Sequence, residues 1–136
     1  MRKFSKKDRS TFKYWFAHWC AFNMTAILCR RWKFKYLFHD WEKPWLKLFL
    51  DYEDVQYIHR RNSRHHLEYR GGLDRVDWEA LAIDWECSKL TKSSCFLNAQ
   101  EEMEKYMKKS VFYENTLPDK MIPVLKKLNI YNEEND

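Results

Sequence analysis

Residues 39–66 read HDWEKPWLKLFLDYEDVQYIHRRNSRHH and contain four of the five histidines of the chain. The fifth, His18, lies 21 residues before His39, and an amphipathic segment with Asp77 and Asp84 follows at residues 77–90. Histidine is the commonest metal-ligating side chain, and carboxylates complete many metal sites. The order of these side chains therefore predicts one metal centre that several helices assemble, with the rest of the chain as its scaffold.

Length and composition predict one helical domain. The 136 residues fit a single domain, and a hydrophobic content of 45% with 18% aromatic residues argues against disorder. The two glycines, Gly71 and Gly72, are adjacent, which excludes the spaced glycines of a dinucleotide-binding fingerprint or a P-loop. With three prolines and long runs of good helix formers, we predict an all-α, compact single-domain bundle of about six helices over residues 1–136. Residues 1–7 and 132–136 are expected to be flexible.

The charge balance favours anionic partners. A net charge of +5 and a pI near 9.0 suit nucleotides, nucleic acid or acidic lipid, without choosing among them. The aromatic run at residues 12–28 is interrupted by Lys13, His18 and Asn23, so we interpret it as a core helix and expect no membrane-spanning segment.

The spacing of the cysteines predicts their oxidation state and the cellular compartment of the protein. Cys20, Cys29, Cys87 and Cys95 are widely spaced and include no C-x-x-C pair, so neither a thiolate zinc site nor a redox motif is expected. Reduced thiols in a cytoplasmic protein are therefore the prediction.

In the first half of the chain, Asp8 or Ser10 is expected to cap a helix that runs to about residue 32. Shorter helices should follow at residues 33–41, before Pro44, and at residues 45–50 and 53–62. Continuation of the last one would place His59, Asn62 and His66 on one face. The apolar residues expected to face the core from residues 33–41 are Phe34, Leu37, Phe38 and Trp41.

In the second half, the Gly71-Gly72 pair predicts a loop, after which Asp74 is expected to cap a helix to about residue 88. Asn98 with Glu101 is typical of a capping box. Thr116 is expected to open a final helix that bends or restarts at Pro123. Residues 98–131 then form a helical extension to a motif-bearing core at residues 12–90.

The adjacent pair His39-Asp40 is expected in the last turn of the helix at residues 33–41. Helical neighbours point about 100° apart, so the two side chains can share a centre only by approaching it from different sides. A carboxylate that bridges two ions would meet that condition. The alternative is a partly exposed histidine favoured by the helix dipole, beside a solvated aspartate.

The ordered series resembles the HD superfamily of metal-dependent phosphohydrolases, here over residues 12–90. The motif order is similar to the HD-GYP branch, and closer still to small uncharacterised HD-like proteins of phages and bacteria. The residues that carry the resemblance are His18, His39, Asp40, Lys43, His59, Asn62, His65, His66, Glu68, Tyr69, Asp84 and Trp85. Glu42 stands where the H-D-x-G-K motif has glycine, and the G-Y-P motif is absent, so activity on cyclic dinucleotides is not carried over.

The resemblance implies an HD-like helical fold around one or two divalent transition-metal ions (Fe, Mn, Ni or Zn). His18, His39, Asp40 and Asp84 would hold the first ion, and His59 with one or both of His65 and His66 would hold the second. Asp40 and Lys43 would be the catalytic residues. Lys43, Arg60, Arg61 and Arg64 are the candidates for binding a substrate phosphate, which guanidinium groups pair with bidentately. Glu68 could orient a ligating histidine.

Hydrolysis of a nucleotide or another phosphoester through a metal-activated water is therefore the predicted function. One alternative is a non-catalytic protein that keeps the pocket and sequesters a nucleotide or signal. A second is an HD-type diiron oxygenase. Nucleic-acid binding rests on the basic charge alone.

Overall fold

Six α-helices make up most of this computed structural model, which describes residues 3–92 and 97–133. They are α1 (Phe12–Leu28), α2 (Glu42–Lys47), α3 (Tyr52–Asn62), α4 (Trp78–Thr91), α5 (Ala99–Lys109) and α6 (Val111–Lys127). Three short 3-10 turns stand between or before them, at Lys6–Ser10, Phe34–Phe38 and Leu73–Arg75. Within the described residues the only β pairing is an isolated bridge between Phe4 and Lys92. The all-α prediction is confirmed.

The core is organised around α4. This helix packs against α1 on one side and against the α5–α6 pair on the other, so it is apolar on most of its circumference. Leu81 and Ile83 of α4 are fully enclosed, as is Phe22 of α1. The contact between α1 and α4 is the important one for function, because each of these helices carries one of the predicted metal ligands there.

Several helix starts differ from the predictions because another side chain provides the cap. Thr11, and not Asp8 or Ser10, caps α1 by accepting from the backbone N–H of Tyr14 at 3.2 Å. Asp77, and not Asp74, caps α4, and Ser110, and not Thr116, caps α6. Helix α6 then continues through both Pro118 and Pro123. The capping box of Asn98 and Glu101 at the start of α5 is confirmed.

The predicted helix at residues 33–41 is wrong. The segment forms only the 3-10 turn Phe34–Phe38, and Tyr36 is its buried residue. The residues expected in the core are exposed, at 69% for Phe34, 39% for Leu37, 55% for Phe38 and 56% for Trp41. A five-residue turn is too short to place a continuous apolar stripe against the core, and it packs on α1 through Tyr36. Helix α2 then starts at Glu42, three residues earlier than predicted, with Pro44 in its first turn, where the missing N–H needs no partner.

The two ends of the described chain contact the bundle. The N–H of Phe4 donates to the carbonyl of Thr91 at 2.6 Å, and Phe4 is buried. Asn132 and the side chain of Gln100 exchange two hydrogen bonds, of 2.8 and 3.1 Å. Residues 1–2 and 134–136, in the predicted flexible ends, lie outside the described residues, as does Cys95. In the described parts of the chain, no helix combines the length and the apolar character that crossing a membrane requires.

Candidate metal centre

His18 and Asp84 meet where α1 packs against α4. The Nε2 atom of His18 lies 2.8 Å from Oδ1 of Asp84, and both residues are buried. The Sγ atom of Cys87, one turn after Asp84, lies 4.0 Å from Nδ1 of the same imidazole. Burial and the Asp84 carboxylate raise the pKa of this thiol well above its usual value, so Cys87 is protonated beside the centre.

His39 and Asp40 lie between the Phe34–Phe38 turn and α2, and not in the last turn of a helix as predicted. Asp40 has a φ of 55°, in the left-handed region that aspartate tolerates better than most residues. The indole N–H of Trp15 donates to the backbone carbonyl of Asp40 at 2.7 Å, and the ring of Phe22 stacks on the His39 imidazole. With this left-handed residue, the two adjacent side chains of His39 and Asp40 both enter one centre from outside a helix.

The first group of donor atoms comprises His18, His39, Asp40 and Asp84. His39 Nε2 lies 3.2 Å from His18 Nε2, and 3.3 Å from Asp84 Oδ1. Asp40 Oδ2 lies 3.4 Å from His39 Nε2 and 3.7 Å from His18 Nε2. These donor atoms therefore converge on one buried point. The side chains that carry them come from α1, α4 and the turn before α2.

The second group comes from the end of α3 and the segment after it. His59 Nε2 and His65 Nε2 lie 3.2 Å apart, and Asp40 Oδ1 lies 2.9 Å from the first and 3.0 Å from the second. Helix α3 ends at Asn62, so the continuation that would align His59, Asn62 and His66 is wrong. The chain turns at Ser63 instead, and this turn brings His65 back onto the imidazole of His59.

His66 lies beside the second group. Its ring centroid is 4.8 Å from that of His59 and 4.4 Å from that of His65. Within the described part of the chain, its Nε2 atom is buried and has no hydrogen-bond partner. A buried polar atom without a partner is costly, which makes His66 a suitable further donor for an ion held by His59 and His65.

The donor geometry fits metal ions. Two atoms that each lie about 2.1 Å from one ion are about 3.0–3.4 Å apart at right or tetrahedral angles, and the separations within the two groups range from 2.8 to 3.7 Å. Asp40 Oδ1 is also buried and close to two imidazoles, yet none of the described groups hydrogen-bonds to it with good geometry. Because its two oxygens face different groups, Asp40 is placed to bridge a pair of ions.

At His39, Asp40 and Asp84 the pKa shifts favour the ligating protonation states. At His59, burial would lower the pKa, but Asp40 and Glu42 outweigh burial and raise the pKa above its usual value. Burial lowers the pKa of His39 to about 4, although Asp40 opposes the shift, so the imidazole is neutral. Burial would raise the pKa of Asp40 and Asp84, but neighbouring His39 and Lys43 hold the first, and His18 the second, well below the usual range. Neutral imidazoles and ionised carboxylates are the forms that bind metal.

Glu42 is a residue that the sequence analysis did not place in the site. Its carboxylate accepts a hydrogen bond from Nδ1 of His59. The other ring nitrogen, Nε2, is the atom that would bind metal. Such a carboxylate fixes the tautomer and the ring orientation of a ligating histidine. Glu68, the candidate for this role, instead pairs with Arg60 at 3.3 Å. In the sequence, the only indication of this role was that Glu42 places a carboxylate at the glycine position of the H-D-x-G-K motif.

The predicted phosphate-binding side chains separate into two pairs. Lys43 and Arg60 line a cavity of about 130 Å³ at the metal centre, and Lys43 Nζ lies 3.3 Å from Asp40 Oδ2. Arg61 and Arg64 do not line this cavity. The first stacks on Tyr57 at the surface, and the second donates to the backbone carbonyl of Arg75 at 2.9 Å.

The cavity has further basic and phenolic lining that the sequence analysis did not find. These side chains are Arg9, Lys92, Tyr14, Tyr52 and Tyr106. They come from the chain before α1, the end of α4 and the helices around the cavity, so no local motif connects them. Among the described residues of the lining, the four basic side chains Arg9, Lys43, Arg60 and Lys92 are matched by four carboxylates, those of Asp40, Asp84, Glu68 and Glu102. With Asp40 and Asp84 bound to metal cations, the remaining positive charge would suit an anionic ligand.

No family model matches the chain, and neither the curated proteins nor the solved structures include a match. The resemblance to the HD superfamily therefore rests on the motif residues and remains a prediction.

Proposed function

We propose that this protein is a metal-dependent phosphohydrolase with a two-ion centre of HD type. The observation that carries the proposal is the position of Asp40, whose oxygens each face a separate group of imidazoles beside a cavity that Lys43 and Arg60 line. In this arrangement His18, His39, Asp84 and Asp40 would hold the first ion. His59, His65 and Asp40 would hold the second, with His66 as a further donor.

Bound metal would supply a coordinated water that is a hydroxide near neutral pH. The residues around it have distinct tasks. Glu42 orients the ring of His59, and Trp15 holds the backbone of Asp40 in the conformation that exposes both oxygens. Lys43 lies on the cavity wall beside Asp40, where its ammonium can contact a phosphate oxygen. Arg60 contributes a second positive group, which Glu68 holds in place.

The first experiment is elemental analysis of protein purified without a His-tag or chelator, beside the variants His39→Ala and Asp40→Ala. We expect one or two equivalents of Fe, Mn, Ni or Zn in the wild type and their loss in both variants, with the helical circular dichroism retained. Full metal content in both variants would reject the site. A panel of nucleotides and simple phosphoesters then tests turnover by phosphate release.

The alternatives predict different results in the same samples. Metal retention and tight ligand binding without turnover would favour a sequestering protein. Iron in the purified protein together with oxygen uptake would favour an HD-type diiron oxygenase. Steep loss of polynucleotide binding with added salt would support a nucleic-acid function.

Lys43→Ala tests the substrate side of the site separately from the metal. A hydrogen bond to a charged group is worth about 1.5–3 kcal/mol, so we expect phosphate affinity about 10-fold to 100-fold weaker, with metal content unchanged. Lys120→Ala is a suitable control, because Lys120 is a partly exposed lysine of α6 that pairs with Asp74. Equal phosphate affinity in the two variants would remove Lys43 from the site.

A further inference from the structure

A second cavity of about 340 Å³ adjoins the metal centre. The proposed metal ligands and phosphate-binding residues do not need this additional space. Its floor is shared with the centre, since His18, Asp40 and Lys43 line both cavities. Its volume is at the lower end of the range for small-molecule pockets, about 300–1,000 Å³. A ligand that reaches the centre can therefore extend into this space.

The walls of this second cavity are predominantly apolar. We call it the apolar pocket and define it by Phe12, Trp15, Pro44, Leu48, Tyr52 and Val55. The first two come from the start of α1, where their ring centroids lie 5.4 Å apart. Pro44 and Leu48 come from α2 and its end, and the last two from the start of α3, so three elements surround the space.

Large apolar side chains at the mouth of the pocket face water in the structure. Phe12 is 63% exposed and Leu48 is 71% exposed. Contact with an apolar ligand would remove part of this surface from water, which is favourable in proportion to the area buried. Phe12 also contacts Trp15, whose indole donates to the backbone of Asp40, so Leu48 is the residue whose replacement tests the pocket separately from the metal centre.

The charges around the apolar pocket suit an anion at one end of the ligand. Arg9, Lys43 and Lys47 line the pocket, and Asp40 on the floor is the only carboxylate among the described residues that line it. The exposed lining is mostly apolar, and the hydroxyl groups among its described residues are few, those of Ser10, Thr11, Tyr14 and Tyr52. The polar edge of a nucleobase would therefore lose more hydrogen bonds to water than it gains, which costs free energy. An alkyl or aryl group incurs no such cost.

We propose that the substrate is a phosphate monoester whose organic group is alkyl or aryl, with the phosphate at Lys43 and the organic group in the apolar pocket. This inference rests on the proposed phosphohydrolase function. In the reaction, the oxygen of water forms a bond to phosphorus, and the bond from phosphorus to the ester oxygen breaks. The leaving oxygen takes a proton, which yields an alcohol and inorganic phosphate.

The test measures binding of methyl-, butyl- and octylphosphonate to the full chain by titration calorimetry, with and without Mn²⁺. Phosphonates have a carbon–phosphorus bond that this reaction does not cleave, so the readout is independent of turnover. We expect about threefold to fourfold tighter binding for each added methylene that enters the pocket. Phe12→Ala and Leu48→Ala should reduce this dependence on chain length.

Matched controls remove equally exposed apolar side chains elsewhere. Phe34 is 69% exposed and Leu28 is 76% exposed, and neither lines the apolar pocket. Phe34→Ala and Leu28→Ala should therefore keep the full dependence on chain length. Equal losses in all four variants would overturn the inference, because the effect would then be non-specific.

The remaining outcomes separate this inference from the proposed function. Binding that depends on chain length and on Phe12 and Leu48, without hydrolysis of octyl phosphate, would support the pocket and reject the hydrolase. Hydrolysis of methyl phosphate and glycerol phosphate with no benefit from a longer chain would support the hydrolase and overturn the pocket. Tighter binding of adenosine 5′-monophosphate than of octylphosphonate, weakened by Phe12→Ala, would overturn the apolar ligand class.

Discussion

Replacing Asp40 with asparagine should disable both halves of the centre at once. Asp40 Oδ1 lies 2.9 Å from His59 and 3.0 Å from His65, while Oδ2 lies 3.4 Å from His39. Asparagine keeps the size of the side chain and tolerates the φ of 55°, so the backbone turn should persist. The variant loses the negative charge and one of the two acceptor oxygens.

The size of the effect can be worked from linkage. Substitution of a group that only orients a ligand typically weakens metal affinity 10-fold to 100-fold. In Asp40→Asn one ion loses its ligand oxygen and the other loses the negative charge of the bridging carboxylate, so each should bind at least about 100-fold more weakly, or about 2.8 kcal/mol. At a free metal concentration of 100 times the wild-type Kd, each ion stabilises the wild type by about 2.7 kcal/mol but Asp40→Asn by only about 0.4 kcal/mol. For a domain of this size, the difference is roughly 7–12 °C in the metal-induced shift of Tm per ion.

The assay is differential scanning fluorimetry with Mn²⁺ or Zn²⁺ added to chelator-treated protein, with metal content measured in parallel. Each variant is compared with its own metal-free sample, so a change in the stability of the apoprotein does not affect the result. Asp77→Asn is the control, since Asp77 caps α4 and its carboxylate lies 2.5 Å from Lys35 Nζ. Asp77 is not one of the proposed metal ligands. This variant should keep the full shift.

Two further variants test whether the centre holds two ions. His18→Ala should lose the first ion and keep the second, and His59→Ala should do the reverse, because these histidines belong to different groups. Retention of two ions by Asp40→Asn would refute the bridging role of this carboxylate. A single ion in the wild type, lost in all three variants, would refute the two-ion arrangement.

Three other variants probe the support around the centre and the bundle. Glu42→Gln should weaken one ion about 10-fold to 100-fold and leave the other unchanged, as measured by metal titration, because Glu42 orients His59 alone; equal loss of both ions would contradict this. Asn98→Ala should cost about 1 kcal/mol in urea unfolding with metal content intact, since it removes the capping box of α5, and an unchanged midpoint would argue against that role. Burial would raise the pKa of Glu79, but hydrogen bonds from Arg31 and Lys33 outweigh it and leave the pKa lowered from 4.5. The stabilisation by this carboxylate is therefore complete above about pH 4.5 and is lost as the pH falls through the lowered pKa. Glu79→Gln should be less stable than the wild type at pH 7, with the gap in urea midpoint closing in acid; a gap independent of pH would be inconsistent with the ion pair.

The features predicted correctly from the sequence depend on neighbours along the chain. The scarcity of glycine and proline and the runs of helix formers indicated an all-α protein. The capping box of Asn98 and Glu101 follows from two residues three positions apart. The ordered histidines and aspartates also named the side chains that α1, α3, α4 and the turn before α2 bring together. Their roles as ligands remain predictions.

The tertiary structure decided which way each side chain faces. An apolar pattern at residues 33–41 predicted a core helix, but the segment forms a short turn that packs on α1 through Tyr36, and Phe34 and Phe38 face water. The left-handed backbone of Asp40 is hydrogen-bonded through its carbonyl to Trp15, which lies 25 residues away. The contact of Glu42 with His59 and the apolar pocket likewise join segments that are distant in sequence. Local patterns carry the conformational preferences of short segments, whereas burial and side-chain direction are set by the packing of the whole bundle.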